Sequence, residues 1–401
     1  MNINRSANVV IAVSAWTIWA GLALAGWLTL VCVFAPVAPA QTFTLLYQFR
    51  SGAGGINPYA GVVRDAKGNF YGTTYNDGAF ASGAVFRINP AGKEKVLHSF
   101  SQTDGDGAFP WYGTLVRDSS GDLYGTTYVG GIKGQFCCGT IFKVTAAGTE
   151  TVLYRFTGDN GDGFPQAGVV HDSSGNLYGT TQNGGPSNAG TVFKVDPAGK
   201  KTVLYSFTGS TDGGYPMAGV VLDANGDLYG TTYEGGSAFA GTVFKVDPTG
   251  KETVLYGFTG STDGGSPQAG VIRDSHGNLY GTTYYGGNQG AGTVFKVNKV
   301  GQETVLHNFT SGNDGGLPLG GSLVRDSAGN LYGTTPQGGS NDFGVVFKID
   351  TKGNQTVLHT FSGSDGKIPY GTLLLDKAGN LYGTTYEGGA YGGGVVFKVA
   401  P

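Results

Sequence analysis

Two short runs of this chain gather oxygen ligands in a way a hard cation accepts. They are Thr103-Asp-Gly-Asp-Gly107 and Asp159-Asn-Gly-Asp162, with Asp104, Asp106, Asp159 and Asp162 as the candidate ligands. Calcium takes six to eight oxygens, and neither run is followed by the full acidic set of a helix–loop–helix calcium site. A second group is aromatic. Tyr75, Tyr128, Tyr233, Tyr284 and Tyr386 occupy one recurring position, and Trp111 and Tyr112 stand together in a segment near them. Asp104, Asp212, Asp263, Asp314 and Asp365 recur in another loop. Aromatic faces with carboxylates beside them suit sugar rings, which offer apolar faces and many hydroxyls. An Asp before glycine also does plain structural work by capping a turn.

Cys137 and Cys138 are adjacent, in a loop three residues longer than its counterparts. A disulfide between them is possible chemistry in an export compartment. Adjacent Cα atoms lie closer than an ordinary bridge prefers, so such a bond would be strained. Zinc is not expected at the pair, with no histidine near in sequence. The five histidines do not suggest a general base: His98, His307 and His359 replace tyrosines of other repeats, His171 replaces an arginine, and His276 lies in a tight turn. No Ser-His-Asp or Cys-His arrangement is legible.

The elements that must hold these residues are repeats. A Tyr-Gly-Thr-Thr strand centred on Tyr71, Tyr124, Tyr178, Tyr229, Tyr280, Tyr332 and Tyr382 recurs every 50 to 54 residues. Such a period means stacked or radial units, each unable to bury its apolar face alone. Each unit carries four β-rich runs, exemplified by Thr202–Phe207, Gly219–Asp223, Leu228–Thr232 and Gly241–Val246. No helical periodicity follows the N-terminal segment. The turns Asp223-Ala-Asn-Gly-Asp227 and Asp247-Pro-Thr-Gly-Lys251 are short hairpin connections, with Asp bonding its own backbone and Gly in the left-handed position. Four antiparallel strands in each of seven units predict an all-β, seven-bladed β-propeller over 41–401. The chain opens this region with a copy of the first run, Thr44–Phe49, and ends it with a copy of the fourth, Gly394–Val399. The last blade is therefore expected to close by pairing of N- and C-terminal strands. Both tight turns fall on one face and the longer loops on the other, so the binding face is the long-loop face. A ring of basic residues (Arg87, Lys143, Lys194 and their equivalents) is positioned to pair with a ring of Asp65, Asp118, Asp172 and their equivalents.

Residues 8–49 contain no charge, and Ala38-Pro39-Ala40 fits a small-x-small cleavage pattern. Residues 1–40 read as an export signal, with an uncleaved membrane anchor as the competitor. The repeats then lie outside the cytoplasm, in the periplasm, at the cell surface or secreted. A net charge of −3 argues against nucleic acid, which needs clustered Lys and Arg.

The motif Gly-Asn-Leu-Tyr-Gly-Thr-Thr-x-x-Gly-Gly followed by Gly-Thr-Val-Phe-Lys-Val, complete in Gly277–Val297, resembles the bacterial GloVer tandem-repeat family. The resemblance covers 42–401 and implies a secreted or surface-associated repeat protein with no established activity. Its members often end in sorting anchors; this chain stops at Pro401, right after the last strand. More loosely, the Asp-x-x-Gly-Asn-Leu-Tyr turn looks like those of NHL-type propellers. The functional expectation is a monomeric binding or scaffold protein that recognises a glycan or a protein and requires no cofactor. Near-identical repeats disfavour catalysis, which needs one asymmetric constellation. The alternatives are a polysaccharide hydrolase or lyase, with calcium as an optional ion, and a structural or adhesion module.

Overall fold

A glycine in the middle of a fully buried strand needs a reason, and here the partner strand supplies it. In all seven units the Gly of Tyr-Gly-Thr-Thr faces a phenylalanine of the next strand, as in Gly72↔Phe86 and Gly230↔Phe244. A Cβ on any of these glycines would lie 2.5–2.7 Å from the ring's Cζ. The phenylalanine thus occupies the volume the glycine vacates, and the pair is read together in each unit.

The computed structural model describes residues 41–102, 105–132, 137–158 and 163–400. The expected leader and the candidate ligands Asp104, Asp159 and Asp162 lie outside the described residues. Seven four-stranded antiparallel sheets form a seven-bladed β-propeller. Blade 1 runs outward through Val63–Arg64, Phe70–Thr74, Ala84–Ile88 and Glu94–Ser99. Blades 2 to 6 repeat this order. Blade 7 is composite. Its innermost three strands are Leu374–Leu375, Leu381–Thr385 and Val395–Ala400, and its outermost is Thr42–Gln48, in the register Thr42↔Ala400 to Gln48↔Val395. The expected pairing of the two ends of the propeller is present. No continuous ladder joins neighbouring blades; they meet through side chains and through isolated backbone hydrogen bonds such as Tyr215 N–H to Ala189 O at 2.7 Å. Among the described residues there is no helix, so none is long and apolar enough to cross a membrane.

The core sits at the blade junctions. Seven apolar clusters each combine two neighbouring blades, including blade 7 with blade 1 through Tyr382, Val396, Val62 and Phe86. At each junction a phenylalanine that follows one outermost strand meets the strand phenylalanine of the next blade edge-on. Phe207–Phe244 and Phe258–Phe295 are examples, and the seven centroid separations are 5.0–5.5 Å. Edge-to-face geometry suits the aromatic quadrupole.

The tight turns use the Asp ring differently from expectation. All seven tyrosine hydroxyls of Tyr-Gly-Thr-Thr donate to it, from Tyr382–Asp376 at 2.9 Å to Tyr229–Asp223 at 3.2 Å. Lys143 and Lys245 instead pair with Asp122 and Asp227, four residues further on. The shorter reach of a tyrosine in the adjoining strand wins the Asp. Burial opposes ionisation of Asp65, but hydrogen bonds from Asn69, Tyr71 and Lys67 outweigh it and hold its carboxyl below the usual range.

Candidate functional site

The two threonines of each Tyr-Gly-Thr-Thr strand position the long-loop face. The second binds its own loop: the Thr232 hydroxyl donates to Glu234 O at 2.9 Å and contacts the Thr242 hydroxyl at 2.8 Å. The first reaches the next blade. Thr126, Thr180, Thr231 and Thr384 donate to the carbonyls of Ala167, Ala218, Ala269 and Ala60 at 2.8–2.9 Å. These four ties hold the segment that enters the innermost strand of blades 3, 4, 5 and 1, and the equivalent segment of each blade carries the site.

In each unit this segment reads Pro-x-x, and of the residues after the proline Tyr112, Ala167, Met217, Ala218 and Gly320 line the central channel. The first residue after the proline is Tyr59, Trp111, Gln166, Met217, Gln268, Leu319 or Tyr370; the second is Ala60, Tyr112, Ala167, Ala218, Ala269, Gly320 or Gly371. Blades 7, 1 and 2 therefore contribute rings where the others contribute glutamines and aliphatics. Tyr59 is the hub. Its ring centroid lies 4.4 Å from Tyr386, 5.1 Å from Tyr370 in a stacked pair, 5.2 Å from Tyr75, 5.3 Å from Tyr112 and 5.8 Å from Trp111. Trp111 extends the group to Tyr128 at 4.6 Å, edge-on. All are partly exposed.

Tyr112 is the single large side chain at its repeat position, and it lies across the channel. A Cβ on Gly320, in blade 6, would come 2.7 Å from its Cδ1. The channel space it borders, about 230 Å³, is lined by Val169, Val220, Val271 and other innermost-strand residues. The regular ties break beside it: the hydroxyls of Thr73 and Thr282, whose next-blade neighbours are Tyr112 and Gly320, are buried without a partner. Burial, then neighbouring phenols, pushes the Tyr59 hydroxyl far above its ordinary range; burial does the same for Tyr112. Burial and the Tyr285 hydroxyl push Tyr284 up to about 12. The cluster is thus neutral, presenting π-faces and phenol hydroxyls.

Of the residues expected from sequence, Trp111, Tyr112, Tyr75, Tyr128 and Tyr386 come together. Tyr284 adjoins them by walling, with Tyr370, a recess of about 330 Å³ that also holds Asp342, Gln337 and Lys367. Tyr233 is not in ring contact with the group and neighbours Ser266 and Tyr285 instead. Tyr59 and Tyr370 were not legible from agreement between repeats. Their signal was disagreement, since the position after the proline is the one the repeats do not share.

The carboxylates do not join the aromatics. Asp212 and Asp263 accept from Tyr205 and Tyr256, and Asp365 and Asp106 contact His359 and His98, all on outermost strands. They cap turns and tie the blade edges, as an Asp before glycine does. Cys138 is buried with Ile141 and Phe156, with Cys137 packed beside it, at the foot of the enlarged loop.

Three overlapping matches to the model of the Gloeobacter/Verrucomicrobia repeat cover residues 31–238, 133–324 and 300–401. The chain belongs to this repeat family. Two relatives in fold are distant in sequence. The extracellular domain of a candidate one-component system from B. thetaiotaomicron superposes with a TM-score of 0.54 at 12% identity, over 88% of this chain and 39% of that one. Puromycin hydrolase superposes with a TM-score of 0.52 at 13% identity, over 83% of this chain and 50% of that one. The Gloeobacter/Verrucomicrobia repeat protein thus spans half or less of these two chains, and at such identity the likeness speaks for the propeller fold alone. No curated protein matches its sequence.

Proposed function

We propose that this Gloeobacter/Verrucomicrobia repeat protein is an extracytoplasmic binding module that takes a glycan on the aromatic sector of its channel mouth. The observation that carries the reading is the contiguous group of partly exposed rings around Tyr59, built from three neighbouring blades, in which Tyr59, Trp111, Tyr112 and Tyr370 stand at positions the other blades fill without rings. Sugar rings stack on such faces and exchange hydrogen bonds with neutral phenols. The recess beside Tyr370, with Asp342, Gln337 and Lys367, supplies polar groups for a second unit of a chain. Export is supported by the charge-free stretch after Arg5 and by the small-x-small site, and the extracellular setting of one fold relative is in keeping with it.

The test incubates the purified propeller with a panel of plant and bacterial polysaccharides, measuring retained protein and newly released sugar ends together. Retention without product, abolished in Trp111→Ala and Tyr59→Ala proteins that melt normally, supports the reading. Released ends make the protein a hydrolase or lyase. Absence of retention on every glycan redirects the aromatic sector to a protein partner.

A further inference from the structure

A polar seat recurs at the outer edge of the blade junctions. It is built from an outermost-strand residue of one blade, the loop Asp that follows, and the first outermost-strand residue of the next blade. Blades 3/4 and 4/5 fill it with Tyr205, Asp212, Glu252 and with Tyr256, Asp263, Glu303. Blades 5/6 fill it with His307, Asp314 and Gln355, and the Gln355 amide donates to the Asp314 carbonyl. Blades 6/7 combine His359 and Asp365, with Phe43 stacked on the imidazole. The seat between blades 1 and 2 holds His98, Asp106 and Glu150.

We propose that His98, Asp106 and Glu150 bind a divalent first-row transition ion, with zinc as the best fit, that staples blade 1 to blade 2. One ligand atom from each lies within 4.8 Å of the others, and His98 Nε2 is 3.0 Å from Asp106 Oδ2. Metal–ligand bonds of roughly 2.0–2.2 Å place tetrahedral donors about 3.4 Å apart, so a small closure forms the site. Asp106 is held ready, its Oδ1 accepting from Gly107 N–H at 2.8 Å and its Oδ2 from Ser101 N–H at 3.1 Å. Glu150 Oε1 is buried and has no hydrogen-bond partner, although a second carboxylate stands beside it. An unpartnered carboxylate oxygen facing another acid calls for a cation or a proton. The imidazole decides which kind: one nitrogen with two carboxylates suits zinc and its neighbours, whereas calcium prefers oxygen throughout. The other seats lack one of the three ligand types, which is why a single site is inferred.

The repeats supply their own controls. His98→Tyr recreates the seat of blades 3/4, and Glu150→Gln recreates the residue at blades 5/6, so both variants have a precedent for folding. Tag-free protein, stripped with chelator, is titrated calorimetrically with Zn²⁺ and melted with and without it. The expected result is one saturable ion per chain and a higher melting temperature with zinc. His98→Tyr and Glu150→Gln weaken binding about tenfold or more, while Glu252→Gln and Cys137→Ser leave it unchanged. No saturable zinc, or binding unchanged in His98→Tyr and Glu150→Gln, overturns the proposal, as does binding lost only in Cys137→Ser. If either variant fails to fold, the wild-type imidazole resonances decide. Those of His98 must move on adding Zn²⁺ while those of His307 and His359 stay; an unmoved His98 overturns the site.

Discussion

The blade junctions and the channel mouth obey opposite rules. At the junctions the same Phe–Phe contact and the same Phe-over-Gly packing recur seven times with little variation. At the mouth the first position after each proline varies among Tyr, Trp, Gln, Met and Leu, the second is small everywhere but at Tyr112, and the rings collect on one side. A ring of equal blades must repeat what holds it together, because each junction faces the same geometric problem. A site that distinguishes a ligand must break that equality. Residues shared by all blades are therefore the poorer guide to function here.

Substitutions can separate the two regions. The largest loss is expected from Phe244→Ala. Its ring is fully buried at a junction, and removing it should cost about 3–5 kcal/mol in denaturant unfolding, whereas Trp111→Ala should leave the midpoint nearly in place. A Trp111 variant as unstable as the Phe244 variant would erase the distinction.

Next in size, Thr231→Val removes the tie to the Ala269 carbonyl and should cost about 1–3 kcal/mol. Thr73→Val should be neutral or stabilising, because the Thr73 hydroxyl is buried beside Tyr112 without a partner. Equal costs at the two positions would show that Tyr112 has not displaced a regular contact.

Smaller again is a pH effect at the junction seats. Burial first, then Asp212, pushes Glu252 up to about 7, and burial with Asp263 does the same for Glu303. A carboxyl whose folded value is raised favours the fold fully below its unfolded value, and that contribution is lost as pH rises through about 7. Glu252→Gln should therefore raise the melting temperature by about 2–4 °C at pH 8 and leave it nearly unchanged at pH 5. An equal gain at both pH values would mean that ionisation is not the cost. Gln355 already occupies this position in the next junction but one, donating to Asp314 O.

The smallest expected change is none. The phenols of Tyr59 and Tyr112 are held far above neutrality by burial, so glycan retention should stay level from pH 5 to 9. A fall within that window would show that retention does not rest on these phenols.

The sequence by itself determined the propeller. Seven copies of one strand pattern, with tight turns of constant length, leave few other ways to bury each blade's apolar faces. It also determined that blade 7 is composite, since the first and fourth runs flank the repeats and pair as Thr42↔Ala400. It placed all seven aromatic candidates on the long-loop face, Tyr75, Tyr128, Tyr233, Tyr284 and Tyr386 through a shared offset and Trp111 and Tyr112 through the segment that enters an innermost strand. Tertiary structure alone decided that the group has a hub. Tyr59 and Tyr386 are more than three hundred residues apart yet 4.4 Å between centroids, which needs the ring to close before they meet. It also decided that the acidic ring serves the blade edges rather than the aromatics, since His98, Asp106 and Glu150 converge only across a junction. Spacing along a repeat fixes which residues are equivalent; which of them touch depends on the curvature that brings blade 7 round to blade 1.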